Sequence, residues 1–143
     1  MKKIFLSLFL LSISVCFAQE WSTNFNEAKA LAKKESKSIL LVFSGSDWCA
    51  PCIKLDKTVW QSQVFKDASK ENWILLKADF PKKRANLLSE NQSKLNKELA
   101  EKYNPEGSFP KVVKLNSDGK VLGIMGFEKI TAAAYVAKLK SIR

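Results

Sequence analysis

Histidine is absent from this chain, and only three of its 143 residues are cysteine. Without an imidazole, proton transfer near neutral pH must run through carboxylates, lysines, thiols or solvent. Zinc sites that draw on histidine are likewise excluded. Acids are also scarce, 14 against 24 lysines and arginines, which leaves a formal net charge of +10. The lysines are scattered, with only Lys82-Lys83-Arg84 forming a tight cluster. That pattern reads as a solvated surface loop, and no nucleic-acid motif accompanies it. There is no internal repeat, linker or low-complexity tract, and no apolar run long enough to form an ordinary membrane-crossing helix.

What is present begins with Met1-Lys2-Lys3, an apolar run over residues 4–17, and Ala18-Gln19-Glu20. A basic start, a short apolar core and a small residue before a polar boundary describe a secretory signal peptide, with cleavage expected after Ala18. An uncleaved anchor and lipid attachment at Cys16 are the alternatives, although Val15 is large where a lipoprotein site wants a small residue. Cleavage leaves residues 19–143 as one domain, takes the net charge to +8, and removes Cys16. A domain of that length with 46% apolar residues can build a core unaided. The mature chain then holds just two thiols, Cys49 and Cys52.

Asn24 with Glu27 three residues on predicts a capping box opening a helix, whose apolar face is Phe25, Ala28, Leu31 and Ala32. Residues 39–43 are continuously apolar, as a strand buried on both faces should be. From Cys49 to about Ser62, Cys52, Leu55 and Val59 recur at helical spacing. A short helical piece around Phe65 follows, and residues 73–80 predict a second core strand stopped by Pro81. Strand, helix, strand at that length implies a right-handed parallel crossover. Residues 82–92 read as a loop or a poorly regular helix start, and Leu95, Leu99 and Tyr103 mark a helix. Residues 111–115 and 121–125 flank a turn-rich stretch and predict a β-hairpin. Thr131 caps a last helix, with Ile130 and Tyr135 placed as a hydrophobic staple. The fold class is α/β with a mixed sheet. Trp21, Trp60 and Trp73 adjoin apolar faces and read as packing residues.

The chemistry concentrates in Ser44-Gly45-Ser46-Asp47-Trp48-Cys49-Ala50-Pro51-Cys52. A helix starting there puts both cysteines on one face of its first turn, within reach of a disulfide. Its unpaired N–H groups favour a thiolate at the first cysteine. Three readings fit a lone Cys-x-x-Cys pair in an exported chain: a redox dithiol, half a metal site, or a structural disulfide in a binding module. The metal reading lacks ligands, because zinc wants four and this motif supplies two. A structural role is weak, since closing so short a loop removes little unfolded-state entropy.

With Trp48-Cys49-Ala50-Pro51-Cys52 at a strand-to-helix junction, Phe109-Pro110 before the hairpin, Gly126 after it and a closing helix, the chain resembles the thioredoxin superfamily over nearly all of its mature length. It is most similar in outline to small exported thioredoxin-like proteins. The resemblance implies a central mixed sheet with helices on both faces and a thiol-disulfide oxidoreductase. It implies no cofactor beyond the redox-active Cys49-Cys52 pair and no bound metal. Cys49 becomes the exposed attacking thiol and Cys52 the resolving one, while Trp48, Phe109 and Pro110 shape the client groove, with Pro110 cis. Ala50, Pro51, Lys77 and Asp47 are supporting residues. Partners implied are exported proteins with thiols or disulfides and a membrane thiol reductase as electron donor, with no nucleic acid, in the periplasm or cell envelope. The chain is expected to be a monomer.

One departure bears on mechanism. Family members carry a buried aspartate six residues before the first cysteine, and that position is Phe43 here. Proton transfer to Cys52 is therefore expected from solvent, Lys77, or a carboxylate such as Asp47 or Asp79. An aspartate restored at Phe43 is expected to speed release of the mixed disulfide. Pro51 before Cys52 resembles the reducing members, so the expected direction is reduction of exported clients.

Overall fold

A computed structural model describes residues 20–143. The signal peptide reading and the alternative at Cys16 fall outside those residues. Among the described residues, no helix is long and apolar enough to cross a membrane.

The apolar run at 39–43 lies at the centre of a five-stranded mixed sheet. Its strands are β1 (Trp21–Ser22), β2 (Ser38–Ser44), β3 (Trp73–Asp79), β4 (Lys111–Leu115) and β5 (Val121–Met125). The spatial order is β1-β3-β2-β4-β5. β2 runs parallel to β3 and antiparallel to β4, with Val42 opposite both Lys77 and Val112. Such a strand has no water on either face, and its side chains alternate between two cores. Leu40 and Val42 point to one cluster with Leu55, Val59, Trp60 and Tyr135. Ile39, Leu41 and Phe43 point to the other, with Ala28, Ala32, Leu99 and Tyr103. All five residues are at most 1% exposed. Burying each large apolar side chain contributes roughly 1.5–3 kcal/mol, so this run anchors the fold.

Five helices cover the two faces: α1 (Phe25–Glu35), α2 (Ala50–Leu55), α3 (Gln63–Asn72), α4 (Glu90–Tyr103) and α5 (Ala132–Ser141). Asn24 caps α1 by accepting the N–H groups of Asn26 and Glu27, and its own amide donates to Glu27 at 3.1 Å. Ser62, Ser89 and Thr131 cap α3, α4 and α5 through their hydroxyl oxygens. At the far end of α5, Lys114 from β4 donates to the carbonyls of Leu139 and Ile142. Burial of that lysine lowers its pKa.

The expected single helix after Cys49 is instead two segments. α2 stops at Leu55, and Asp56–Trp60 forms a π-helical turn. Thr58 donates to the carbonyl of Lys54 at 2.9 Å, competing with the backbone there. The wide turn lets the adjacent Val59 and Trp60 both face the core, at 1% and 3% exposure. Two smaller differences concern ends. β1 pairs with β3 over two residues only, too few for any periodicity. α4 begins at Glu90, inside the stretch read as a loop or irregular helix start, because Ser89 supplies its cap. Trp60 and Trp73 pack against Phe65, and Trp21 packs on the same cluster, as expected of packing residues.

Candidate active site

Cys49 and Cys52 lie at the end of β2 where the chain turns into α2. Cys49 is the N-cap of α2, in extended conformation, and its sulfur accepts the backbone N–H of Cys52 at 3.3 Å. Pro51 occupies the first turn, where a missing N–H leaves no helical bond unmade. Ala50 and Pro51 are exposed. The two cysteines are bonded to each other, with Cα atoms 5.2 Å apart. The exposure expected of Cys49 is not seen: it is 5% exposed against 3% for Cys52. In the disulfide-bonded form both cysteines are buried.

Trp48 sits over this junction. Its indole N–H donates to the carbonyl of Phe80 at 2.6 Å, and its ring meets Phe109 edge-on at 5.5 Å. Phe109 also meets Phe80 at 5.5 Å, and the peptide bond to Pro110 is cis. The structure thus brings Trp48, adjacent to Cys49 in the chain, against Phe109, the residue that precedes cis-Pro110. Gly45 makes the indole's position accessible: a Cβ there would lie 2.3 Å from Trp48 Cε2. The other face of the indole carries Lys82, whose Nζ is 3.9 Å from the ring centroid.

Asp47 does not act where a proton carrier would. Its carboxylate accepts the backbone N–H groups of Lys82 and Lys83, each at 2.9 Å, and the side-chain amide of Asn86 at 3.0 Å. These donors, Lys82 first, hold its pKa below the ordinary value. Asp79 is similarly engaged, accepting the N–H and the hydroxyl of Ser46. Both acids tie the 44–49 loop to the 79–87 loop, so neither is free to serve Cys52.

Phe43 is a further correction. It is fully buried in the cluster under α1 and α4, on the sheet face away from α2. Counting six residues back from Cys49 therefore reaches the wrong side of the sheet. The residue of β2 that shares a recess with Cys52 is Ser44. That recess, about 160 Å³, is also lined by Ser46, Asp56 and Lys77. Lys77 has its Nζ 4.8 Å from the Trp21 ring centroid and 4.0 Å from Asp56 Oδ1. Asp56 is the acid that sequence reasoning missed. Its place four residues after Cys52 on a helix would have found it, since that spacing shares a face.

Among the described residues, no group of three or more metal-ligating side chains comes together. A family model described as thioredoxin-like matches residues 20–117. The chain is similar to a disulfide bond reductase, DsbH, of Chlamydia pneumoniae, 40% identical over 122 residues that span 85% of this chain and 71% of that protein. Its structure is similar to that of a DsbH oxidoreductase, with a TM-score of 0.79 and 39% identity over 86% of this chain and 83% of the other. A disulphide isomerase from Xylella fastidiosa Temecula1 is more distant, with a TM-score of 0.53 and 27% identity over 82% and 78% of the two chains.

Proposed function

The chain belongs to the thioredoxin-like family and is a thiol-disulfide oxidoreductase, and on that premise we propose that it reduces disulfides of exported proteins in the periplasm or cell envelope. The observation that carries this reading is the Cys49-Cys52 disulfide at the cap of α2, with Cys52 N–H directed at the Cys49 sulfur.

In the reduced form the Cys49 thiolate attacks one sulfur of a client disulfide. The client bond breaks, a Cys49-client bond forms, and the departing client thiolate takes up a proton. Cys52 then loses its proton and attacks the Cys49 sulfur, which closes the Cys49-Cys52 bond and frees the second client thiol. Two electrons pass to the client. The N–H at 3.3 Å from Cys49 Sγ stabilises the thiolate in the first step, and the leaving group in the second is the client sulfur. For the proton on Cys52, the pair Lys77 and Asp56 in the shared recess is the route we favour, replacing Asp47 and Asp79, which are both engaged elsewhere. The client backbone lies along Trp48, Phe109 and Pro110. A membrane thiol reductase restores the dithiol, and the chain acts as an exported monomer.

Insulin reduction by the residue 19–143 chain tests this reading, with Cys49→Ser as control. Turnover that disappears in the control supports it; no turnover above the control sinks it. A redox titration gives the direction. A potential toward −270 mV marks a reductant and one near −120 mV an oxidant.

A further inference from the structure

The cluster Lys82-Lys83-Arg84 looks like an ordinary solvated loop in sequence, but the structure gives it a fixed place. Asp47, two residues before Cys49, accepts the backbone N–H groups of Lys82 and Lys83 and the amide of Asn86. Trp48 donates to Phe80 at the base of the same loop, and Lys82 lies against the outer face of its ring. The loop is therefore stapled at several points to the residues that carry Cys49, and its backbone has little freedom to swing away. All three cations are exposed, and none takes part in the ion pairs among the described residues. The acids nearest to them, Asp47 and Asp79, are half-buried and turn their oxygens inward onto N–H and O–H donors. An approaching polypeptide meets the cations first.

We propose that this basic ridge is a docking surface for client segments that carry aspartate or glutamate beside the disulfide to be reduced. The proposal rests on the reductase reading above. Charges at the rim of a reacting site act mainly by steering and orienting encounters, raising the second-order rate and making it depend on salt. Exposed cations on a loop whose backbone is pinned to the residues preceding Cys49 meet that condition.

The test uses the reduced 19–143 chain and disulfide peptides of one length whose cysteines are flanked by Asp/Glu, Ser or Lys. Stopped-flow traces of Trp48 fluorescence give the rate constant for each. The expected order is acidic, then neutral, then basic, spread on the order of tenfold at low salt and collapsing in 0.5 M NaCl. Lys83→Glu/Arg84→Glu should flatten or reverse the order. Lys34→Glu/Lys140→Glu, in the last turns of α1 and α5, makes the same change of net charge away from the site and should keep it. Equal rates in the parent chain, or a preference that survives in the first variant, overturn the ridge while leaving the reductase reading intact. Loss of preference in the second variant as well would assign the effect to overall charge and also overturn it. Failure to reduce even the neutral peptide removes the reductase reading and the ridge with it.

Discussion

Lys77 Nζ and Asp56 Oδ1 stand 4.0 Å apart in the recess onto which Cys52 opens, one supplied by β3 and the other by the π-helical turn after α2. The acid and the lysine thus line the recess of Cys52 from two elements. In Asp56→Asn the attack of Cys52 on the mixed disulfide should slow on the order of tenfold, because the carboxylate of the proposed proton route is then lost. The first step, attack by Cys49, should change little. Rapid-quench trapping of the mixed disulfide resolves the two steps, and equal slowing of both would argue against this route.

Phe43→Asp supplies the contrasting case. The side chain lies in the core under α1 and α4, so a carboxylate there meets apolar atoms and no partner. The expected loss is about 4 kcal/mol of stability or more, from the lost ring and the buried acid together. No acceleration of mixed-disulfide release should accompany it. Urea unfolding and the same quench experiment measure both effects.

Asp47 links the active-site loop to the 79–87 loop in a pH-dependent way. Its pKa lies below the ordinary 3.8 because the Lys82 N–H and the Asn86 amide favour the anion. For a carboxyl depressed on folding, the stabilising contribution is complete above the unfolded value and is lost as pH falls through the folded one. The Lys82 and Lys83 amides should therefore exchange slowly near neutral pH and open as the solution is acidified below 3.8. In Asp47→Asn they should exchange on the order of tenfold faster at neutral pH, with a weaker acid-side change. Hydrogen exchange read by NMR measures both.

Gly45→Ala places a methyl group where the Trp48 indole lies, 2.3 Å from Cε2. The indole must leave Phe109 and its bond to Phe80, at an expected loss of about 1–3 kcal/mol. Client reduction should fall with it. A blue or red shift of Trp48 emission relative to the parent chain, compared in Trp48→Phe backgrounds, reports the displacement; unchanged emission and rate would mean that the indole has another resting place.

Much of this molecule follows from local patterns. The apolar run at 39–43 can only be satisfied by cover on both faces, and it became β2. Asn24 and Thr131 could be recognised as caps because side-chain oxygens there meet N–H groups two or three residues on. The hairpin followed from two apolar runs around Asn116-Ser117-Asp118-Gly119-Lys120, with Asn116 accepting from Asp118 and Lys120 within the turn. Cys49 and Cys52 were placed by their spacing and by the strand-to-helix junction they occupy. Each of these depends on residues a few positions apart.

What the tertiary structure alone decided lies at longer range. Residue counting put the missing acid at Phe43, but only the packing of α2 on one face of the sheet reveals that Phe43 faces the other and that Ser44, Lys77 and Asp56 line a recess with Cys52. The π-helical turn depends on where Val59 and Trp60 find room in the core. Asp47 is a local residue with a distant role, since its partners lie 35 to 39 positions along the chain. Sequence by itself specified the dithiol and the fold that carries it, because those rest on periodicity and short-range bonds. The surroundings of the dithiol, from the recess lined by Lys77 and Asp56 to the pinned basic loop, were set by which faces and loops the register of β2 and β3 brought together.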